Sequence, residues 1–323
     1  MSGSGFPYRL RPAKYVDREL FADLVAQIVA QDGRGGWVYA SMAGEHLVDI
    51  QAIYRRSGIQ AFYAFDGDGR VVQRQEFNRP LPNIQFGHHM SIELADRLDA
   101  IVENAGAERL IVWLDFTGTG KRKDQLDDLV AVLKKLAPGD VCRITLDAGH
   151  YFFKDLRDNL VPAAMENEPA HKKLAAAFRE ALSPYSNPNT DNLDKTRIPR
   201  ELVECIGRAC PMANTRVGGN VRFVPLLLTR YGDDSTMVTA TLRCEREDTP
   251  LTVPGGWEWK PDNWSDVLTI KADLLSPRER ATADACIDNP DDACAELPFV
   301  DEETIRAYAR FHRYQPNFQN VAE

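Results

Sequence analysis

Apolar positions along this chain recur in two rhythms. Over residues 17–31, "DRELFADLVAQIVAQ", Leu20, Phe21, Leu24, Val25, Ile28 and Val29 return every three or four residues, which predicts an amphipathic helix. Five short apolar runs follow: "WVYA" (37–40), "AFYAF" (61–65), "NIQFG" (83–87), "RLIVWLDF" (109–116) and "DVCRITL" (140–146). Their starts lie about two dozen residues apart, the length of one strand plus one crossover helix, so they predict a parallel sheet wrapped by helices. The helix "KDQLDDLVAVLKKLAPG" fits this alternation. It sets Leu126, Leu129, Val130, Leu133 and Leu136 on one face, carries lysines in its last turn and stops at Pro138-Gly139.

Residues 151–219 break the rhythm. They read as helices ("HKKLAAAFREAL", "RELVECIGRA") joined by the Asn- and Pro-rich loop "SPYSNPNTDNLDKTRIP" and predict a helical insertion that could cover a site as a lid. "NVRFVPLLLTRY" and "TMVTATLRCE", joined by "GDDS", predict an antiparallel hairpin that closes the sheet. The chain thus divides into an N-terminal helical segment (1–36), a strand–helix core (37–150), the insertion (151–219), the hairpin (220–254) and a C-terminal helical extension (255–323). The extension opens on Trp257, Trp259 and Trp264, which read as a satellite core or an interface, the core being expected, and continues into two capped helices, "SPRERATADACI" and "DEETIRAYARFHRY".

Composition narrows the function classes. With 323 residues, 44% apolar and 27% charged, the chain has ordinary globular make-up. It contains no apolar run long enough for a membrane span and starts without the apolar stretch of a secretion signal, so a cytoplasmic protein with no membrane partner is expected. A net charge of -9 repels a polyphosphate backbone and argues against bulk nucleic acid as a partner. The short basic clusters "GKRKDQ" and "RLRPAK" read as solvated loop or helix-start segments. Six scattered cysteines form no C-x-x-C pair and read as structural free thiols.

In an open α/β sheet, ligands gather at the carboxyl ends of the strands, so the residues just past each run are the candidates. Ser41-Met42-Ala43-Gly44 is a small-residue turn into a helix, which suits close backbone approach to a polar or anionic group or simply tight packing. Asp66 directly follows the second run, some 20 residues past that turn, where a carboxylate can accept from the hydroxyls of a ribose. Gly87-His88-His89-Met90-Ser91 could meet an adenine edge, and of two adjacent histidines at most one faces a pocket. No metal-ligand spacing surrounds them. Asp115 ends the fourth run and is the strongest catalytic candidate, while Asp147 and His150 in "LDAGH" could form an acid–base pair or start a helix.

These residues, with "LKKLAPGDVCRITL" in the fifth-strand position, resemble the class I S-adenosylmethionine-dependent methyltransferase family. More narrowly, "RPAKYVDRELFADL", "RQEFNRP", "IVWLDFTG" and "IRAYARFHRYQPNF" resemble a little-characterised bacterial O-methyltransferase group, some members of which sit beside anti-phage defence genes. The resemblance implies a Rossmann-like α/β fold with a mostly parallel, seven-stranded sheet closed by an antiparallel hairpin. It implies S-adenosylmethionine as cofactor and an unidentified methyl acceptor as partner. Ser41, Ala43 and Gly44 would correspond to the glycine-rich cofactor loop, Asp66 to the ribose-binding acid, His88 and His89 to the adenine side, and Asp115, with His150, to the catalytic rim. The sequence departs from the family pattern where Ser41 and Ala43 replace glycines and Tyr39 replaces an acid; each added Cβ takes space that the methionine part of the cofactor would need. Asp115-Phe116-Thr117-Gly118 does not match the tetrad of base-amino methyltransferases, so an oxygen or a non-base nitrogen is the expected acceptor. The departures leave a second reading open: a catalytically silent adaptor or nucleotide-sensing subunit that binds the product of a neighbouring gene.

Overall fold

The computed structural model describes residues 11–33, 35–116, 118, 122–161, 165, 167–213, 220–232 and 235–316. Thr117, Gly120 and Lys121, the chain before Arg11, the end of the insertion at 214–219, the hairpin turn at 233–234 and the "NF" of the C-terminal motif lie outside them.

Five strands alternate with helices through the first half of the chain. In order these are α1 (Pro12–Asp32), β1 (Trp37–Ser41), α2 (Val48–Ser57), β2 (Ala61–Asp66), α3 (Gly69–Phe77), β3 (Ile84–His88), α4 (Leu94–Asn104), β4 (Arg109–Asp115), α5 (Arg122–Leu133) and β5 (Val141–Asp147). Three helices fill the predicted insertion: α6 (His150–Asn159), α7 (Ala170–Ala181) and α8 (Ile198–Ala213). The hairpin is β6 (Val221–Gly232) and β7 (Thr236–Arg246), and the extension carries β8 (Leu268–Ile270), α9 (Pro277–Ala285), α10 (Pro290–Glu296) and α11 (Glu302–Phe311).

The strands form one sheet in the order β3-β2-β1-β4-β5-β7-β6-β8. β1 to β5 are parallel, and β7 runs antiparallel to both β5 and β6. The sheet has eight strands rather than the expected seven, because β8 adds itself parallel to β6 and pairs Leu268 with Thr229 and Ile270 with Tyr231. Three residues cannot display an alternation, which is why this strand leaves no mark in the sequence pattern.

Apolar side chains alternate to the two faces of the sheet. One face packs against α4, α5, α7 and α8, with Val112, Ile144, Leu129, Leu202 and Ile206 at its centre. The other face carries α1 and α2, and Phe21, Leu24 and Ile28 lie against Tyr39, Ile111 and Trp113. Each such side chain, fully withdrawn from water, contributes about 1.5–3 kcal/mol. The tryptophans divide between these faces instead of forming one cluster: Trp257 and Trp259 join the α1 side, and Trp264 packs on the other, against Gly207 of α8. At the C-terminal helices, Ser276 forms the expected capping box with Glu279, whereas the side chain of Asp301 makes no capping bond.

α1 differs from the surface helix that its stripe predicts. Its first two turns bury Lys14, Asp17, Arg18 and Glu19 beside the apolar positions. The sheet covers one side of the helix, and the C-terminal segment reaches the other, where the Tyr314 hydroxyl donates to Asp23 Oδ2 at 2.8 Å. Pro12 opens the helix at a position whose N–H is not needed.

Candidate functional site

Parallel strands end together, so β1 to β5 bring Ser41, Asp66, His88, Asp115 and Asp147 to one rim of the sheet. At β1, Tyr39 and Ser41 stand two residues apart and point to the same face. Both hydroxyls donate to Asp49 Oδ2, at 2.9 and 2.6 Å. Asp49 lies in the first turn of α2, where the helix dipole favours an acid, and burial together with this carboxylate pushes the Tyr39 phenol well above its ordinary range.

Side chains also hold the turn that follows. The carbonyl of Ala43 accepts from Gln75 of α3, and that of Glu45 accepts from Asn78 Nδ2 at 2.9 Å. Leu47, buried, takes a left-handed conformation (φ 52°) at the entry to α2. Among the described residues it is the single non-glycine one with positive φ, and such strain persists only where the surroundings impose it. The turn thus keeps its shape without the glycines that the resemblance implies.

Beyond the turn lies a narrow cleft of about 10 Å³, room for roughly one water, lined among others by Arg18, Ala43, Gly44, Asp49, Trp113 and Asp115. Lys14 Nζ stands 3.5 Å from Asp115 Oδ2, with the two side chains 8% and 16% exposed. The other carboxylate oxygen, Oδ1, is buried with no hydrogen-bond partner among the described residues. Trp113 is fixed in the wall from two sides: its Nε1 donates to Thr145 Oγ1 at 2.9 Å, and the guanidinium of Arg143 lies 4.9 Å from its ring. Arg143 is fully buried, sits over Phe21 as well, and pairs with Asp17 of α1 at 2.5 Å. One ion pair therefore ties the cleft wall to the helix that delivers Lys14 and Arg18.

At β2, Asp66 accepts the backbone N–H of Asp68 at 2.7 Å, an Asx-type turn. Burial, with the Asp68 carboxylate beside it, raises its pKa above the ordinary value. Asp68 itself is exposed and caps α3. At β3 the two histidines part: the His88 ring is outward, over Gly69, whereas His89 is buried. The His89 ring stacks on Phe65 with centroids 4.7 Å apart. Its Nδ1 faces the Met90 carbonyl at 3.0 Å and must carry the proton, so Nε2 accepts the Tyr63 hydroxyl at 2.9 Å. Burial lowers its pKa, and the neutral ring serves as a packing piece. Met90 and Ile92 are left exposed at the same rim.

At β5 the acid–base pair does not form. Asp147 Oδ1 accepts from the Gly149 N–H at 2.7 Å and the Ser235 hydroxyl at 2.8 Å, and Oδ2 lies 3.6 Å from Arg122. His150 starts α6 with its ring exposed beside Tyr151. The carboxylate is spent on closing the turn, which adjacency in sequence does not reveal. Of the sequence candidates, then, the fold brings Ala43, Gly44 and Asp115 to one cleft, backs it with Ser41 through Asp49, and sets Asp66 and His88 on the neighbouring strand ends. His89 and His150 do not line that cleft. The polar residues that do, Arg18 and Asp49, and Lys14, which pairs with Asp115, carry no sequence signal beyond a charge inside an apolar helical pattern.

A wider groove, about 370 Å³, lies at the opposite end of the sheet, between the amino ends of β1 to β3 and the end of α4. It is lined by the amides of Gln60, Asn83, Gln85 and Asn104 and by Tyr63, whose hydroxyl is engaged with His89, and among the described residues no carboxylate, amine or imidazole lines it. Strand polarity favours the narrow cleft, with its charged Arg18, Asp49 and Asp115, as the functional end.

Among solved structures, the chain is similar to the fibrillarin pre-rRNA processing protein of Methanococcus jannaschii, at 12% identity over 66% of this chain and 68% of that one, with a TM-score of 0.37. It is also similar to the N-methyltransferase NodS from Bradyrhizobium japonicum, at 9% identity over 72% and 97% of the two chains, TM-score 0.34. A third is Trm1 from Pyrococcus horikoshii in complex with S-adenosyl-L-methionine, at 11% identity over 72% and 56%, TM-score 0.37. No curated protein matches the chain. Residues 6–323 match the family described as "Putative O-methyltransferase", and this chain belongs to that family.

Proposed function

We propose that the protein is an S-adenosylmethionine-dependent methyltransferase that binds its cofactor along the carboxyl ends of β1 to β3 and transfers the methyl group to an oxygen or a non-base nitrogen. The observation that carries this reading is the buried Asp115 Oδ1 without a partner, in a cleft that it shares with Arg18 and the Gly44 turn. An unpaired buried carboxylate oxygen costs stability unless a ligand satisfies it. The donor set suits an α-amino acid: Asp115 for the ammonium, Arg18 for the carboxylate. Family membership supports the same cofactor.

In this reading Asp66 accepts from the ribose hydroxyls, His88 lies on the adenine side, and exposed Met90 and Ile92 offer apolar surface to the base. The sulfonium of the cofactor supplies the activated methyl group. The chain's own residues orient it and remove a proton from the acceptor. With Asp115 committed to the ammonium, His150, the first residue of α6, is the proton acceptor, and helices α6 and α7 form the cover over the acceptor.

Calorimetric titration with S-adenosylmethionine and S-adenosylhomocysteine tests the proposal. Binding by the folded protein is expected, and Asp66→Ala should weaken it by about 1.5–3 kcal/mol, the worth of hydrogen bonds to a charged group. Absence of binding up to millimolar concentration would overturn it. A second reading, a silent adaptor or nucleotide sensor working with the product of a neighbouring gene, is favoured by the crowded turn, where Ser41 and Ala43 are almost wholly buried. Copurification of such a product with a chain that ignores both ligands is the result that would choose it.

A further inference from the structure

The cleft that fits an amino acid by its charges is closed to one by its size. About 10 Å³ of free space holds a water and no more. The carboxylate in its lining, Asp115, is already engaged: the ammonium of Lys14, on the first turn of α1, lies 3.5 Å from Asp115 Oδ2. Lys14 therefore presents to Asp115 the same chemical group, a primary ammonium, that the ligand of the proposed function would bring.

We infer that Lys14 is an internal competitor for the ligand's ammonium and that its ion pair with Asp115 keeps the cleft shut until an α-amino acid moiety displaces it. This rests on the proposed cofactor reading. The exchange is nearly isoelectric. One cation leaves the buried carboxylate and another takes its place, so the cost of stranding a buried charge is avoided. The pair is suited to exchange because its separation is long for a charge-assisted hydrogen bond and one oxygen of Asp115 has no partner. The site thereby selects for ligands with the complete amino acid portion, since a nucleoside lacking an ammonium has nothing with which to replace Lys14.

Calorimetry on the full chain with two probes separates the possibilities. The probes are S-adenosylhomocysteine, which carries the ammonium, and 5′-methylthioadenosine, which lacks the amino acid portion. Lys14→Met keeps the length of the side chain and removes its charge. If the closed state holds about nine molecules in ten, removing the competitor tightens S-adenosylhomocysteine about tenfold and leaves methylthioadenosine unchanged. Lys14→Arg, which keeps the ion pair, should bind both like the parent. A loss of S-adenosylhomocysteine affinity in Lys14→Met would make Lys14 a plain ligand contact and overturn the inference, as would no change. An equal change for both probes would also overturn it, by showing a general loosening of α1. If neither probe binds the parent or the variants while circular dichroism shows all of them folded, the cofactor reading itself fails, and the competitor with it.

Discussion

Ser41 donates its hydroxyl to Asp49 at 2.6 Å, across the turn that joins β1 to α2. The negative charge at this strand end therefore comes from the helix behind the turn and not from the strand before it. Tyr39 makes the second bond to the same oxygen. Asp49→Ala should leave two buried hydroxyls unpaired, at about 1–3 kcal/mol each, and lower the urea midpoint accordingly with an unchanged slope. A variant as stable as the parent would show that the three side chains do not hold the turn.

Asp66 should give ligand binding an acid limb displaced upward. Burial raises its pKa above the ordinary carboxylate value, so as pH falls it takes up a proton earlier than a solvated aspartate would. In the proposed role, its capacity to accept from two ribose hydroxyls is lost over that range. Affinity for S-adenosylhomocysteine, measured from pH 7 downward, should decline before ordinary carboxylates titrate, and Asp66→Asn should flatten that decline. An identical pH profile in the variant would remove Asp66 from the site.

His89 should make the fold sensitive to mild acid. Its folded pKa is lowered, mainly by burial, so between the unfolded value near 6.5 and the lower folded value the unfolded chain binds the extra proton. Stability from this residue is complete above that window and is lost as pH falls through it. His89→Gln should be less stable than the parent at pH 7.5, through loss of the stack on Phe65, and should lose less on going to pH 5.5. Denaturant midpoints at the two pH values check this. Gly87→Ala should mimic the defect, because a Cβ there would overlap the Tyr63 hydroxyl that bonds His89.

Asp17 and Arg143 form a fully buried ion pair, completed by the Thr229 hydroxyl at 2.6 Å from Asp17 Oδ1 and the Thr241 hydroxyl at 2.8 Å from Arg143. Asp17→Ala should cost about 3–5 kcal/mol by stranding the guanidinium. The double variant Asp17→Ala/Arg143→Met should recover part of that loss, because no unpaired charge remains. A double variant less stable than the sum of the singles would contradict this account of the pair.

The strands and most helices were legible because their signal is local. A run such as "RLIVWLDF" is apolar whatever it meets, and Leu126, Leu129 and Leu133 share a face whatever covers it. Asp66 and Asp115 were legible as rim residues for the same reason: a parallel strand that ends at a given residue delivers that residue to the common edge. β8 and α10 were not, being three and seven residues long with no repeat to read.

The chemistry of the cleft belongs to a different level. Lys14, Asp17 and Arg18 look in the sequence like the solvated side of an amphipathic helix, and Asp49 like an acid at a helix start. Whether a charge on a helix is solvated or buried depends on what covers the helix. The cover over α1 comes from β6, β8 and the C-terminal segment, some 200 residues or more away in the chain. Adjacency left two choices open, which of His88 and His89 turns inward and whether Asp147 and His150 pair or begin a helix, because neighbours on a turning backbone need not face one another. By itself the sequence determined the alternating layers, the rim and its acids, since periodicity and strand polarity are properties of the local chain. Tertiary structure alone decided which charges meet, since burial and pairing arise only when distant segments close over the same helix.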